Sequence, residues 1–364
     1  MTASDTPMNP AIQGEHTKLA ARDDKPIVED LFELNPTIYW FDLLTSVAIA
    51  YGGAWIYVSA QYGLGVLIVT FIVSAIALFR IATFMHEIAH MRRGQMRAFK
   101  VLWNGLVGIP LLTPSLFYTT HAEHHSNKHY GTPGDGEYLP FGLSPPSAII
   151  KFLATIPLVP ILAVLRALVL VPISFVVPHF RAWLLRSASA AVISPTFTRR
   201  QIPDVRDPLW MLTDAACFCY AAGIAYLVFN GSISGQTIAM LYALILFSIG
   251  LNWMRTLAAH RYRNDGSELT HASQVLDSIN ITGTPILVEC LFPVGLRYHA
   301  LHHLLPSMPY HSLGTADRRL MAVLSADSAY RQIPRSTTIC ALRQLWCDAQ
   351  AAGPNGIKVR QSWR

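Results

Sequence analysis

The chain has 364 residues, 52% of them hydrophobic and only 14% charged, where soluble domains carry about 25% charged residues. That deficit argues against an ordinary soluble enzyme, and a mean hydropathy of +0.34 argues against intrinsic disorder, which needs low hydrophobicity and high net charge. The net charge of +6 admits a nucleic-acid ligand, but the placement of the basic residues points instead to a membrane.

In chain order, residues 1–34 are polar, with acidic residues from Asp23 to Glu33. They read as a cytosolic segment. No basic start is followed by an apolar stretch, so no cleaved signal peptide is expected. Lys and Arg are then absent from 26–79 and again from 207–254. Four apolar runs fall inside or against those gaps, at 43–60, 63–84, 209–229 and 237–253. Each is long enough to cross a hydrocarbon core at about 1.5 Å per residue. They pair as two hairpins whose short links, near Gln61 and at 230–236, hold no Lys or Arg. The positive-inside rule puts both links outside and both termini in the cytosol. Two further apolar stretches, 101–118 and 152–178, are interrupted by prolines, and the second contains Arg166. They are expected to be re-entrant or interfacial, with no net crossing. Arg80 and Arg255 stand near the cytosolic helix ends, where they can snorkel or pair. Residues 35–325 read as one membrane domain and 326–364 as a charged cytosolic tail. The five cysteines are too few and scattered for a disulfide framework; Cys217 and Cys219 read as small core residues.

Fourteen histidines are present, and eight fall in three clusters. His86 and His90 are one helical turn apart. His121, His124 and His125 repeat the spacing of His299, His302 and His303, which puts three imidazoles on one helical face. His260 stands alone after the fourth run. A His-x-x-His-His arises by chance at roughly one position in 20,000 at this histidine content, so two copies call for a function. Packed histidines must stay neutral, because neighbouring imidazolium charges repel. A metal is the simplest partner for so many neutral imidazoles. Zinc takes about four ligands. Eight or nine histidines suit two six-coordinate irons better, although residue type alone leaves the metal open. His86-Glu87-x-x-His90 also matches the zinc-protease pattern. An intramembrane metalloprotease would leave six clustered histidines without a role, and a transporter would leave all of them dispensable.

The clusters resemble the three histidine boxes of the integral-membrane fatty acid desaturase superfamily in order, spacing and position relative to the four spans. His129-Tyr130-Gly131, Asp135-Gly136-Glu137-Tyr138 and Gly295-Leu296-Arg297-Tyr298 look like bacterial members. The resemblance covers roughly residues 35–325. It implies an all-α membrane protein, with four spans in two hairpins and a cytosolic helical cap holding a histidine-ligated di-iron centre. The implied ligands are His86, His90, His121, His124, His125, His260, His299, His302 and His303. One departure is Thr256, where some members carry an asparagine linked to iron through water.

An unactivated methylene has no acidic proton, so iron and oxygen must remove a hydrogen atom from it. Glu87, Glu123, Asp135 and Glu137 are candidates to orient the imidazoles. The chain has no nucleotide-binding glycine fingerprint and no iron–sulfur cysteine set. A separate ferredoxin, rubredoxin or cytochrome-type electron donor is therefore implied. Arg92, Arg93, Arg97, Lys100, Arg199, Arg200, Arg318 and Arg319 could dock it, or contact anionic lipid. The expected activity is O2-dependent desaturation of a fatty acyl chain, in a multi-pass protein of the bacterial inner membrane with no nucleic-acid partner. Hydroxylation and oxidative decarboxylation to 1-alkenes are the alternatives, because the boxes define the metal site and not the carbon attacked.

Overall fold

The computed structural model describes residues 25–357. Residues 1–24 and 358–364, with most of the expected N-terminal polar segment and the end of the tail, lie outside the described residues. Five helices are long and apolar enough to cross a membrane: α1 (Pro36–Ser59), α2 (Leu64–His90), α3 (Leu158–Val176), α4 (Pro208–Phe229) and α5 (Gly235–Ala259). Their outward faces expose large apolar side chains, among them Phe41, Trp55, Leu64 and Phe229. A lipid environment needs such faces and water does not tolerate them.

Helices α1, α4 and α5 begin before their apolar runs, and α2 and α5 end after theirs. Asn35 caps α1 by accepting from the Thr37 N–H at 3.0 Å, and Pro36 occupies the first turn. Asp207 does the same for α4, ahead of Pro208. Capping side chains and prolines set helix starts, so a hydropathy run alone begins several residues late. At the other end α2 runs through His90, which places the whole first histidine cluster on its last turns. Hydroxyl-to-carbonyl bonds join neighbouring helices, Ser74 to Ala50 (2.6 Å) and Ser248 to Ala75 (2.9 Å), as small polar residues do in membrane bundles.

The stretch expected to be interrupted at its prolines forms α3 as one continuous helix. It carries Pro160 in its first turn, where no N–H is needed, and meets Pro172 just after a π turn at Arg166–Leu170. Arg166 and Arg181 both bond the buried Asp214 of α4, Arg166 at 2.9 Å. Arg166 also donates to the Ala188 carbonyl and the Ser189 hydroxyl. Arg80 of α2 makes a two-bonded pair with Asp42 of α1 and a further bond to Glu289 at 2.8 Å.

The remaining residues pack at the end of the bundle where α2 and α5 finish. A two-stranded parallel sheet, β1 (Asn280–Thr282) with β2 (Arg335–Thr337), joins the chain before the third cluster to the C-terminal region. Helix α6 (His299–Leu304) carries that cluster, and α7 (Tyr310–Val323) packs beside it. Helix α8 (Thr338–Ala352) buries Ala341, Leu345 and Ala349 against the core. The segment expected to form a tail therefore packs as structure at least through this helix.

Asp214→Ala would leave two buried guanidinium groups without a counter-charge. Breaking a buried pair this way costs roughly 3–5 kcal/mol. The variant is expected to show a clearly lowered thermal midpoint in detergent, and an unchanged midpoint would show that the network contributes nothing to stability.

Candidate metal centre

All nine histidines singled out in the sequence converge at this end of the bundle. They form two groups: His86, His90, His121, His125 and His302, and His124, His260, His299 and His303. Within each group the ligand atoms all lie within 4.8 Å of one another. The three imidazoles of a cluster were expected on one face, but the structure divides them. In each of the two later clusters the residues four apart share a group, and the residue at the third position turns to the other group. A separation of four residues is 400° of helix, nearly in line, and a separation of three is 300°, a tilt of 60°. Each cluster therefore bridges both groups and fixes their spacing.

Local backbone explains the placement. His121–His124 is a single helical turn. Helix α6 has no capping side chain of its own; instead Asn280 accepts from the Ala300 and Leu301 N–H groups at 3.0 and 3.2 Å. His260 lies just past α5 in extended backbone and pairs with Ser278. Gly131, at φ +67°, allows the turn that presents Asp135; a Cβ there would lie 2.4 Å from the Asn264 amide. Its N–H donates to Asp135 Oδ2 at 3.0 Å.

Two of the four expected orienting carboxylates are in place. Asp135 meets His124 Nδ1 and Glu137 meets His121 Nδ1, both at 2.8 Å. Glu87 is held instead by the Tyr39 hydroxyl and the Tyr310 N–H, and lies 3.8 Å from His86 Nδ1, beyond hydrogen-bond reach. Glu123 bonds no histidine, and its Oε2 is buried without a partner. Residue patterns missed further contacts. Tyr130 bridges His260 Nδ1 and Asp277 at 2.8 Å each. Gln274 bonds His303 Nδ1 at 3.0 Å and the His124 carbonyl at 3.1 Å. Nothing in the spacing of these residues marks them, because they reach the site from separate parts of the chain, Tyr130 from a turn and Gln274 and Asp277 from the short helix His271–Asp277. Thr256 is buried, and its hydroxyl accepts from Arg255 at 3.1 Å.

The ring nitrogens fit metal ions better than one another. Nε2 atoms form a chain of close contacts, His121–His125 (3.0 Å), His125–His302 (3.1 Å) and His302–His90 (3.0 Å). A neutral imidazole Nε2 offers one proton or one lone pair, so this chain of three contacts can satisfy at most two. Both nitrogens of His86 are buried without a partner. Metal ions that accept every lone pair remove the conflict. Burial first, then neighbouring charges, holds His121, His125, His260, His299, His302 and His303 well below the ordinary 6.5, so they stand neutral and able to ligate. His124 is the exception. Burial opposes its charge, but the Asp135 carboxylate outweighs burial and raises it. Burial pushes Glu137 up to about 7.

The family model described as fatty acid desaturase matches residues 35–334. A curated protein from Caulobacter vibrioides (strain NA1000 / CB15N), a ceramide hydroxylase, is 38% identical over 330 residues, covering 89% of this chain and 92% of its own.

Two measurements check the site. Asp135→Asn should weaken metal retention about 10–100-fold in chelator competition, whereas Glu123→Gln should leave it near wild type. Metal-free protein should also lose stability on acidification. The depressed histidines regain their ordinary 6.5 on unfolding, so below that pH the unfolded chain binds more protons than the folded one. The thermal midpoint should fall from about pH 7 to pH 5, and a flat profile would contradict the burial of neutral imidazoles.

Proposed function

The chain belongs to the fatty acid desaturase family, and from that premise we propose that it is an O2-dependent hydroxylase of a ceramide-type lipid. The observation that carries this reading is the 38% identity, along most of both chains, to a protein named for ceramide hydroxylation. Residue pattern alone favoured desaturation; that relative favours the hydroxylase alternative. The balance is one C–H bond and one O2, with two electrons and two protons, giving one C–OH and one water.

The nine histidines are the proposed ligands, five in one group and four in the other. Iron suits all-imidazole sites that must also take oxygen species. When bound, the iron pair supplies the oxidant for an unactivated C–H bond. The protein's own residues orient the rings through Asp135, Glu137, Tyr130 and Gln274, and exclude water by packing the rings in the interior. The electrons come from a separate carrier of ferredoxin, rubredoxin or cytochrome type.

We place this end of the bundle in the cytosol, in a cell membrane crossed by α1, α2, α4 and α5. Helix α3 reads as re-entrant. Just before it, the Phe152 carbonyl and the Thr155 hydroxyl accept from Trp253, ~9 Å along α5 from its histidine end. Arg166, eight residues into α3, lies at Asp214, ~9 Å from the start of α4. A helix at the same depth at its start and at its middle does not cross.

Lipid extracts of expressing cells test the reading by mass spectrometry. Ceramides gaining one oxygen atom support it. New double bonds would return the reading to desaturation, and volatile alkenes would return it to decarboxylation. His303→Ala should abolish the product and lower the metal content, which is expected near two irons per chain.

A further inference from the structure

Arg255 lies five residues before His260 on α5. Its Nε and Nη2 donate to Asn252 Oδ1 at 3.1 and 3.0 Å, and Nη2 also reaches the Thr256 hydroxyl at 3.1 Å. Both acceptors are neutral and belong to its own helix. Arg80, Arg166 and Arg181 each pair with a carboxylate, whereas Arg255 pairs with none among the described residues. Its Nη1 makes no hydrogen bond and is not sealed inside the protein. A guanidinium without a counter-charge at a membrane helix end is costly unless something else fills its donors.

The position of Arg255 says what that is. Its Nη2 reaches the hydroxyl of Thr256, which is buried and stands one helical turn before His260. The group thus sits against the centre of the site and not out in the headgroup layer. A bare hydrocarbon offers it nothing, while amide carbonyls and hydroxyls offer acceptors of the right kind.

We propose that the Arg255 guanidinium binds the oxygen-bearing head of the lipid substrate and so fixes the oxidised carbon close to that head. The inference rests on the lipid-hydroxylase reading above. Five residues of helix separate Arg255 from His260 by ~7.5 Å, so an acceptor held at Arg255 leaves only a few bonds between it and the carbon presented to the metals. The added oxygen belongs within the first few carbons of the head, and not at mid-chain.

The test uses purified full-length wild type, Arg255→Gln and Arg255→Lys with a ceramide, in nanodiscs with and without anionic phospholipid. Arg255→Gln should raise the apparent KM about tenfold or more, the loss expected for one charge-assisted hydrogen bond. It should also spread the added oxygen over several carbons in fragment spectra, while metal content stays at the wild-type level. Arg255→Lys should recover part of the affinity. In a binding assay, ceramide should raise the thermal midpoint of wild type more than that of Arg255→Gln, and a chain-matched alkane should not tell them apart. Unchanged KM and unchanged product position in Arg255→Gln would overturn the inference, as would an effect seen only with anionic phospholipid, which would assign the guanidinium to bilayer phosphate. If wild type adds no oxygen at all, the hydroxylase reading fails, and the binding assay alone then decides the role of Arg255.

Discussion

Nine imidazoles held in one buried space, most of them uncharged, are the constraint around which the rest of the molecule is arranged. Each ring is polar, and burying it without a partner is costly. Charging the rings is worse, since neighbouring imidazolium ions repel at these distances. Burial keeps most of them neutral, and their nitrogens point at one another in a pattern that protons cannot satisfy. The site is therefore built for metal ions, and the surrounding fold keeps the rings aimed while excluding water.

Secondary structure alone cannot aim nine side chains. Two come from the last turns of α2, and one follows α5, so the membrane helices set the floor of the site. The other six come from two very short helices that would not be stable in isolation. Those are fixed from outside: Asn280 caps α6, Gly131 turns the chain so that Asp135 reaches His124, and Glu137 reaches His121. The division of each cluster between the two groups follows from the 100° step of the helix. It means that neither the second nor the third cluster can move without disturbing both groups.

The ion pairs within the bundle are a second consequence of the same architecture. Asp42 with Arg80 joins α1 to α2, and Asp214 of α4 joins Arg166 of α3 to Arg181 of the helix Pro178–Ser187. They lock helices whose apolar faces have little preference for one another in lipid. Arg255 differs in lacking such a partner, and the difference is visible only once every neighbour is placed. In the sequence Arg80 and Arg255 look alike, each a lone cation near the end of an apolar run.

Much of this protein was legible in its sequence because its strongest signals are local. Charge-free apolar runs are read residue by residue, and a His-x-x-His-His cluster carries its chemistry in its own spacing. These pointed to the membrane class, to four of the five helices long and apolar enough to span, and to the nine histidines that the structure brings together, and a resemblance in the same motifs pointed to the family. The tertiary structure decided which histidines stand together, that Asp135 and Glu137 orient rings while Glu123 does not, and that Tyr130, Asp277 and Gln274 belong to the site. It also turned the proline-broken stretch into α3, long enough to cross on length alone. The physical reason is sequence distance. Tyr130 meets Asp277 across 147 positions, and contacts of that separation leave no periodicity for a local pattern to detect.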